Sequence, residues 1–401
     1  MQRKIKFITP EKLARIVHWS RATGYIFSMA TFGLVGSSLG PILPDLAAQV
    51  SVPLNTISLI FTARAGGFLV GSFLGGRAFD RYKAHLFLVA CFLVQSLILA
   101  FTPFITTFWL LVGILFLFGI TLGLIVVGAS TLIVWENADN PAPWVSTQSF
   151  LNGGGNFLSP LVLSVVISAR GEYGRAYWLF ALASLALAVL FLYTPSPAIR
   201  RQEKKEAAKT NTEVNRKLVF LVALIFLLYT GSEVTYNSWV FSMATTAYPI
   251  SDTAARLLNS LFWGALAIGR IFVGVFSRRW PSSHILKVAF IGAAASFALA
   301  VLVPGSLVIL WISSISAGLC MAVIFPTLTL YAEKQLQLTG KMTSTFFMAT
   351  SIGGMLLPWI TGQFFTFVSP HAVKTIVFIG LSLGLFVFQS IDRRLAHEIS
   401  T

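Results

Sequence analysis

The sequence predicts an all-α polytopic membrane protein with twelve transmembrane helices in two similar bundles of six. Three observations predict it: long apolar segments along nearly the whole chain, basic residues concentrated on one side of the predicted membrane, and an internal repeat. Of the 401 residues, 56% are hydrophobic and 11% are charged, whereas a soluble domain carries roughly 25% charged residues. Water is therefore not the main solvent of this chain.

The apolar segments are long enough for helices that cross a bilayer. A helix needs about 20 residues to cross roughly 30 Å of hydrocarbon. The segments are continuous rather than alternating, which favours helices over the strands of a membrane barrel. The twelve predicted spans are 22–47, 55–76, 85–104, 107–134, 143–168, 174–194, 218–246, 253–276, 285–303, 306–332, 341–367 and 372–391.

The basic residues follow this topology. Most of the 29 Lys and Arg residues fall in loops or termini on the side that holds both chain ends. By the positive-inside rule this side is the cytoplasm, so we expect a multi-pass protein of the plasma or inner membrane with both termini cytoplasmic. A nucleic-acid-binding protein would gather its charge on one face or motif, so no nucleic-acid partner is expected. The exceptions are Arg170, Arg175, Arg256 and Lys374 on the other side, and Arg64 and Arg270 within spans.

One long polar stretch, 196–216, lies between the sixth and seventh predicted helices and divides the chain. After Pro10, mixed apolar and basic residues fit either an interfacial amphipathic helix or a disordered segment. The predicted organisation is a cytoplasmic N-terminal segment 1–21, an N-terminal bundle 22–194, a cytoplasmic linker 195–217, a C-terminal bundle 218–392 and a cytoplasmic tail 393–401.

The two halves share positions at one offset. Matches in two separate helix pairs predict a duplicated six-helix unit. In transporters built from such parallel repeats, the substrate site lies near the midplane between the halves, and rocking of the halves gives alternating access. A shift of 198 residues aligns Gly66, Gly71 and Gly76 with Gly264, Gly269 and Gly274, Arg81 with Arg279, Gly155 with Gly353, and Pro160 with Pro358.

The loop after the second predicted helix reads GGRAFDRYK over residues 75–83. It resembles the signature of the major facilitator superfamily, which has Gly, three residues, Asp, Arg and a further basic residue. Glycine permits a tight turn, and the carboxylate can accept charge-assisted hydrogen bonds. The second half has Arg278 at the position aligned with Asp80, so this motif is expected to act as a conformational latch in the first half only. The resemblance implies a conformational latch made of Gly76, Asp80, Arg81 and Lys83.

Seven further stretches in both halves carry a closer resemblance, at 40–44, 63–67, 131–135, 231–239, 262–270, 324–327 and 353–363. Over nearly the whole chain they are similar to the fucose-permease-like sugar transporters, including the sodium-dependent glucose transporter branch. This resemblance implies secondary active transport of a sugar or a similar polar solute. The sequence departs from those relatives near 126–130 and Ser149, where they carry Asp, Asn and His.

Glu233 is the only acid deep within a predicted span. A charge at the bilayer centre costs about 2.5 to 3.5 kcal/mol, so it needs a partner or a wet cavity. We interpret Glu233 as the residue that binds a coupling ion, H+ or Na+, or the substrate. The alternative is a structural ion pair with Arg64 or Arg270.

Polar and aromatic residues in other spans add candidates for substrate binding. Gln148 and Asn152 are four residues apart and therefore share one helix face, although such groups also join membrane helices to one another. Arg64 either holds an anionic substrate or pairs with Glu233. The candidate substrate-binding residues are Arg64, Gln148, Asn152, Glu233, Tyr236, Asn237, Trp239, Asn259 and Trp263.

Enzyme and pump motifs are missing from the sequence. It has no Walker-type phosphate loop, no His-Glu-x-x-His motif and no paired-cysteine site, and Cys91 and Cys320 lie within apolar spans. We therefore expect a monomeric secondary transporter, not an enzyme, with a small-molecule substrate, the lipid bilayer as surroundings and no resident cofactor or metal. The alternatives are a carrier of organic anions or amphiphiles, and a non-transport scramblase or scaffold.

Overall fold

The structure is a computed structural model that describes residues 10–79, 83–197, 216–336 and 340–400. Every regular element within these ranges is helical, which confirms the predicted all-α fold. The helices are α1 (Pro10–Gly36), α2 (Leu43–Gln49), α3 (Leu54–Ile57), α4 (Leu59–Phe79), α5 (Ala84–Phe101), α6 (Phe108–Glu136), α7 (Ala142–Arg170), α8 (Gly174–Tyr193), α9 (Arg216–Ala247), α10 (Asp252–Arg279), α11 (Ser282–Leu302), α12 (Leu307–Met321), α13 (Ile324–Leu336), α14 (Gly340–Phe367) and α15 (Ala372–Ser400), with 3-10 turns at Gly40–Ile42 and Thr102–Phe104.

Eleven helical stretches among the described residues are long and apolar enough to cross a membrane. Three of them are interrupted: Arg15–Gln49 combines α1 and α2, Leu54–Gly75 combines α3 with most of α4, and Leu307–Leu336 combines α12 and α13. The remaining predicted span, 341–367, coincides with α14, whose 28 residues extend about 42 Å at 1.5 Å per residue. The fold therefore contains a helix for each of the twelve predicted spans.

The first helix is longer than predicted. α1 begins at Pro10 and continues without a break into the first span, so its amphipathic turns belong to the transmembrane helix itself. The sequence allowed either an interfacial amphipathic helix or a disordered segment after Pro10, and the structure has a helix there.

Prolines account for two of these interruptions, the first and the third. Pro41 lies in the turn between α1 and α2, and Pro326 lies just after the break between α12 and α13. Because proline has no backbone N–H, it cannot donate to the carbonyl four residues earlier, which disfavours an unbroken helix at these points.

Contacts between helix ends show that successive spans run in opposite directions. The His18 ring, near the start of α1, lies 3.1 Å from the Glu136 carboxylate at the end of α6. At the other side of the bundle, Gln49 at the end of α2 donates to the Thr102 carbonyl after α5. We call the side of His18 and Glu136 the basic side, and the side of Gln49 and Thr102 the opposite side.

The second bundle has the same alternation. Lys287 at the start of α11 forms an ion pair of 2.6 Å with Asp392 near the end of α15, on the basic side. On the opposite side, the Ser168 hydroxyl at the end of α7 contacts the Thr253 hydroxyl at the start of α10, at 3.3 Å. The two bundles therefore stand side by side with matching orientation.

The predicted duplication is visible in the way glycines pack. A Cβ added at Gly71 of α4 would lie 2.2 Å from the Ile120 carbonyl oxygen of α6. Gly269 of α10 is the position aligned with Gly71, and a Cβ added there would lie 2.8 Å from the Leu319 carbonyl oxygen of α12. Small residues of this kind let membrane helices approach closely. The same glycine contact therefore occurs in each bundle.

The contact between the bundles follows the same symmetry. Gly66 of α4 faces Met355 of α14, and Gly264 of α10 faces Phe157 of α7. Gly264 is the counterpart of Gly66, and Met355 is the counterpart of Phe157 at the same offset. The two contacts are therefore one contact repeated across a pseudo-two-fold axis, and the bundles meet along α4–α14 and α7–α10.

Replacing Gly67 with Ala is expected to lower stability, because its Cβ would lie 1.9 Å from the Phe116 carbonyl oxygen. Forced overpacking typically costs about 1 to 3 kcal/mol, so the melting temperature in detergent should fall. Gly113→Ala is the control, since an added Cβ there has no neighbour within 4 Å. Equal melting temperatures for the two variants would contradict the close α4–α6 approach.

Candidate functional site

A column of polar side chains runs along α9 where it faces α10. Tyr229, Glu233 and Asn237 are spaced by four residues and therefore share one face of α9. The Asn237 side-chain oxygen accepts a hydrogen bond of 2.5 Å from the Trp263 indole N–H. The Asn237 carbonyl accepts one of 3.3 Å from the Asn259 amide. We call these residues, together with Arg270 of α10, the polar seam.

Glu233 lies within the seam beside Arg270. The Arg270 Nη2 is 4.0 Å from the Glu233 Oε1, and the Glu233 side chain retains 12% of its exposure. Of the two partners considered from the sequence, Arg270 is the one that lies beside Glu233. A distance of 4.0 Å is too long for a direct hydrogen bond. The guanidinium therefore offsets the charge of the carboxylate without forming a direct hydrogen bond to it.

Tyr229 extends the seam towards the basic side and was not predicted. It interacts with the Glu233 carboxyl one turn further along α9. Its hydroxyl donates to the Met321 carbonyl at 2.9 Å. Met321 is the last residue of α12, at the break before α13, so the seam links Glu233 to that break. The four-residue spacing from Glu233 was the signal in the sequence that could have identified Tyr229.

Towards the opposite side, the seam reaches the first bundle. A Cβ on Gly40 would lie 2.6 Å from the Asn237 carbonyl oxygen. The Trp239 indole donates to the Pro358 carbonyl of α14 at 2.9 Å, and its ring packs near Phe61 of α4. Asn259 and Trp239 are fully buried. We call the contacts of Gly40, Phe61, Asn237 and Trp239 the opposite-side closure.

Tyr236 lies away from this closure. Its hydroxyl contacts the Ser314 hydroxyl of α12, and its ring packs edge-on against Phe262 and Phe297. It is buried inside the second bundle, 1% exposed. The structure therefore gives Tyr236 the environment of a core residue.

Arg64 binds the end of a helix rather than an acid. Its Nη1 donates to the Gly36 carbonyl, the last residue of α1, at 2.5 Å. A cation is stabilising at a helix C-terminus, where carbonyl groups are left unpaired. Arg64 therefore holds the point at which α1 is interrupted, and it lies in the first bundle, whereas the polar seam belongs to the second.

Gln148 and Asn152 both face α1, in agreement with their spacing. Gln148 is 3% exposed, and its amide donates to the Tyr25 carbonyl of α1 at 3.2 Å. The Asn152 side-chain oxygen accepts from Asn156 at 2.9 Å and lies close to Gly33. Their hydrogen bonds join α7 to α1 or lie within α7, so the structure does not bring them together with Glu233.

The residues of the predicted latch are only partly visible. Gly76 lies in α4, which ends at Phe79, and Lys83 is exposed just before α5. Asp80 and Arg81 lie outside the described residues. The latch stays a prediction.

Two basic residues that the sequence places on the opposite side are buried there. Arg256 is 3% exposed, 3.6 Å from Asp252, and it interacts electrostatically with Asp45 of α2 across the bundle interface. Lys374 is 1% exposed and donates to the Tyr248 hydroxyl at 2.9 Å. Arg256 lies in the second turn of α10 and Lys374 in the first turn of α15, and the rotation of each helix turns the side chain inward.

Lys374 also affects a neighbouring histidine in the loop before α15. Burial, and then the Lys374 ammonium, lower the pKa of His371 below its usual range. The lowered pKa favours the neutral form of the His371 ring. The opposite side thus holds buried positive charge that a count of loop residues does not reveal.

Comparison with known proteins gives concordant matches. A family model described as Major Facilitator Superfamily matches residues 24–389. The chain is 29% identical over 404 residues to the sodium-dependent glucose transporter 1A of Mus musculus, covering 92% of this chain and 94% of that protein. It is 28% identical over 370 residues to the sodium-dependent glucose transporter 1 of Homo sapiens, covering 84% and 71%.

Solved structures share the fold. A crystal structure of a mutant of the nucleoside transporter NupG superimposes with a TM-score of 0.76 at 16% identity, covering 92% of this chain and 99% of that one. The xylose transporter XylE from E. coli, in a partially occluded inward open conformation, gives 0.74 at 12% identity, covering 93% and 99%. These matches confirm the predicted arrangement of two pseudo-symmetric bundles.

Replacing Arg64 with Gln is expected to destabilise the protein, because the Gly36 carbonyl loses its donor. Leaving a buried acceptor unpaired costs about 1 to 3 kcal/mol, which a melting curve in detergent would detect. Arg64→Lys should restore part of the loss, and Arg278→Gln, at an exposed position, is the control. If Arg64→Gln kept the wild-type melting temperature but lost binding of an anionic solute, the helix-end role would be wrong.

Proposed function

The chain belongs to the Major Facilitator Superfamily and is a transporter, not an enzyme; from this premise we propose that it carries a sugar or similar polar solute by alternating access, coupled to a proton or sodium gradient. The observation that carries the proposal is the loosely paired Glu233 within the polar seam. The relatives named as sodium-dependent glucose transporters support the sugar and make sodium the first coupling ion to test.

Coupling requires a group whose charge state depends on ion binding. Glu233 lies on a transmembrane helix, where an uncompensated carboxylate is costly. Arg270 offsets that cost from 4.0 Å, and a bound proton or Na+ would replace part of its effect. Because Tyr229 interacts with Glu233 and donates to Met321 at the α12–α13 break, occupancy of Glu233 has a route to a point where the backbone can bend.

The rest of the seam suits a neutral polyol. Asn259 has a buried side-chain oxygen without a hydrogen-bond partner among the described residues, so it can accept from a hydroxyl group. Trp263 is partly exposed and offers an aromatic face next to the Asn237 amide. Acceptors beside an aromatic face are a common arrangement in polar small-molecule sites.

An organic-anion carrier is the weaker alternative. It depended mainly on Arg64 as an anion ligand, and the Arg64 guanidinium already donates to the Gly36 carbonyl. Arg270 is opposed by Glu233, so the arginine of the polar seam does not offer an unopposed positive charge. A neutral solute therefore fits these residues better than an anion.

Alternating access requires a state in which one side is closed. The opposite-side closure buries Trp239 and brings Gly40 against Asn237, and further contacts join Thr62 to Met355 and Gln363 to Asn55. All of these contacts lie near the midplane or towards the opposite side. We infer a state open towards the basic side, which the positive-inside rule assigns to the cytoplasm along with both termini, and we keep the expectation of a monomer.

Replacing Glu233 with Gln is expected to abolish gradient-driven accumulation of solute, because the amide cannot release a proton or hold Na+ as a carboxylate does. Purified protein in proteoliposomes would be given labelled D-glucose with an imposed sodium gradient, with a proton gradient, and with neither. Wild-type protein should accumulate the sugar under one gradient, whereas Glu233→Gln should only equilibrate it.

The control for this experiment is Glu333→Gln, which makes the same chemical change at an exposed position of α13. It should accumulate sugar as the wild type does. Full accumulation by Glu233→Gln would reject the coupling role. Equilibration of the sugar by the wild type under every gradient would reject coupled transport and leave a facilitated carrier.

Weakening the opposite-side closure should expose Ser58, which is fully buried and faces Gly362 across the bundles. Gln363→Ala removes the hydrogen bond that the Gln363 amide donates to the Asn55 carbonyl across the two bundles, which contributes about 0.5 to 1.5 kcal/mol. In a background with Cys91 and Cys320 replaced by Ser, labelling of Ser58→Cys by an impermeant maleimide should then rise roughly fivefold. Tyr236→Phe, away from the interface, should leave the labelling rate unchanged; no increase with Gln363→Ala would show that this hydrogen bond does not hold the closure.

A further inference from the structure

The first turns of α1 have two different faces. One face is bound to the rest of the protein. His18 and Arg21 both contact Glu136, at 3.1 and 3.3 Å, and Arg21 also donates to the Pro195 carbonyl at 2.8 Å. These contacts satisfy the acid at the end of α6 and fasten α1 to the basic side of the bundle.

The other face lines a groove of about 600 Å³ that opens beside α8. Its residues recur every three or four positions and therefore form one stripe along α1. Leu190 of α8 completes the lining of the groove. The lining residues from α1 are Lys12, Arg15, Ile16, Trp19, Ser20 and Thr23.

The stripe changes character along its length. Lys12 and Arg15 lie at its outer end, the hydroxyls of Ser20 and Thr23 follow, and Phe27 continues it one turn further with 51% of its surface exposed. Ile16 is 54% and Trp19 is 51% exposed. From residue 12 to residue 27 the helix rises about 22 Å at 1.5 Å per residue, which is about the thickness of one bilayer leaflet.

The Arg15 guanidinium is not neutralised by Glu136. Glu136 is already engaged by His18 and Arg21. Among the residues that the structure describes, no carboxylate lies within 4 Å of Arg15. An exposed guanidinium above an apolar surface matches a phosphate group with its acyl chains, and guanidinium binds phosphate with two parallel hydrogen bonds.

We propose that this groove is a binding site for one anionic phospholipid of the leaflet on the basic side. The lipid phosphate lies against Arg15 and Lys12, the glycerol region lies at the Ser20 and Thr23 hydroxyls, and an acyl chain follows Phe27 and Leu190. Trp19 sits at the interface level that tryptophan favours in membranes. Basic pockets between transmembrane helices on this side are suited to such headgroups. The site is separate from the polar seam and does not depend on the transported solute.

The test is lipid binding to the full chain in detergent, followed by native mass spectrometry. Phosphatidylglycerol and phosphatidylcholine with identical acyl chains are titrated against the wild type and three variants. Arg15→Gln removes one charge and should weaken phosphatidylglycerol binding about fivefold. Thr23→Trp keeps both charges but fills the groove, and it should weaken binding at least as much. Arg278→Gln, an exposed charge at the end of α10, should bind as the wild type does.

The outcomes separate a built site from a diffuse charge effect. Weaker binding in Arg15→Gln and Thr23→Trp, but not in Arg278→Gln, supports the groove. If Arg15→Gln and Arg278→Gln weaken phosphatidylglycerol binding equally, or if Thr23→Trp does not weaken it, the proposed site is wrong and the lipid is held by general attraction to the charged surface. Equal affinity for phosphatidylcholine in the wild type also overturns it. Residues 15 and 23 are exposed, so melting temperatures should match the wild type. If Arg15→Gln melts early, Lys12→Gln replaces it as the variant that removes a charge, and if Thr23→Trp melts early, Ser20→Trp replaces it as the variant that fills the groove; the same outcomes apply.

Discussion

Hydrocarbon offers no hydrogen-bond partner, and the whole structure depends on this constraint. Backbone groups at membrane depth must therefore bond within helices or to other protein groups. Where α1 is interrupted, the Arg64 guanidinium binds the Gly36 carbonyl and the Ser38 hydroxyl contacts Tyr177. At the break after α12, the Tyr229 hydroxyl binds the Met321 carbonyl. Both interruptions are thus held by side chains from neighbouring helices, and each joins a point of possible bending to its bundle.

The same constraint explains why polar residues gather where they do. An isolated amide or carboxylate among lipid tails would be costly, so Asn237, Asn259 and Trp263 bond to one another and Glu233 lies beside Arg270. In the polar seam, however, the partners are incomplete: the Glu233–Arg270 distance is long and the Asn259 oxygen is unpaired. Incomplete pairing in a low-dielectric site is where an ion or a solute hydroxyl gains most from binding.

α1 connects the transport machinery to the membrane. Its first turns carry the stripe that we assign to an anionic lipid, and its last carbonyl is held by Arg64 of α4. The turn that follows brings Gly40 against Asn237 of the second bundle. A lipid bound at one end and a bundle contact at the other thus act on a single helix. Since glycine contacts let α1 and α7 approach closely at Gly155, movement of α1 is expected to carry α7 with it.

Length and composition were enough to predict the helices, because a span needs only about 20 apolar residues in sequence. The repeat and the charge bias likewise depend on positions along the chain, and Glu233 stood out as an acid in an apolar run. The contact partners of the charged residues could not be predicted in this way. Which arginine lies beside Glu233, why Arg64 binds a helix end, and why Arg256 and Lys374 are buried all depend on which helices are neighbours and how each is rotated. Those choices arise from packing between segments distant in sequence, which no local pattern contains.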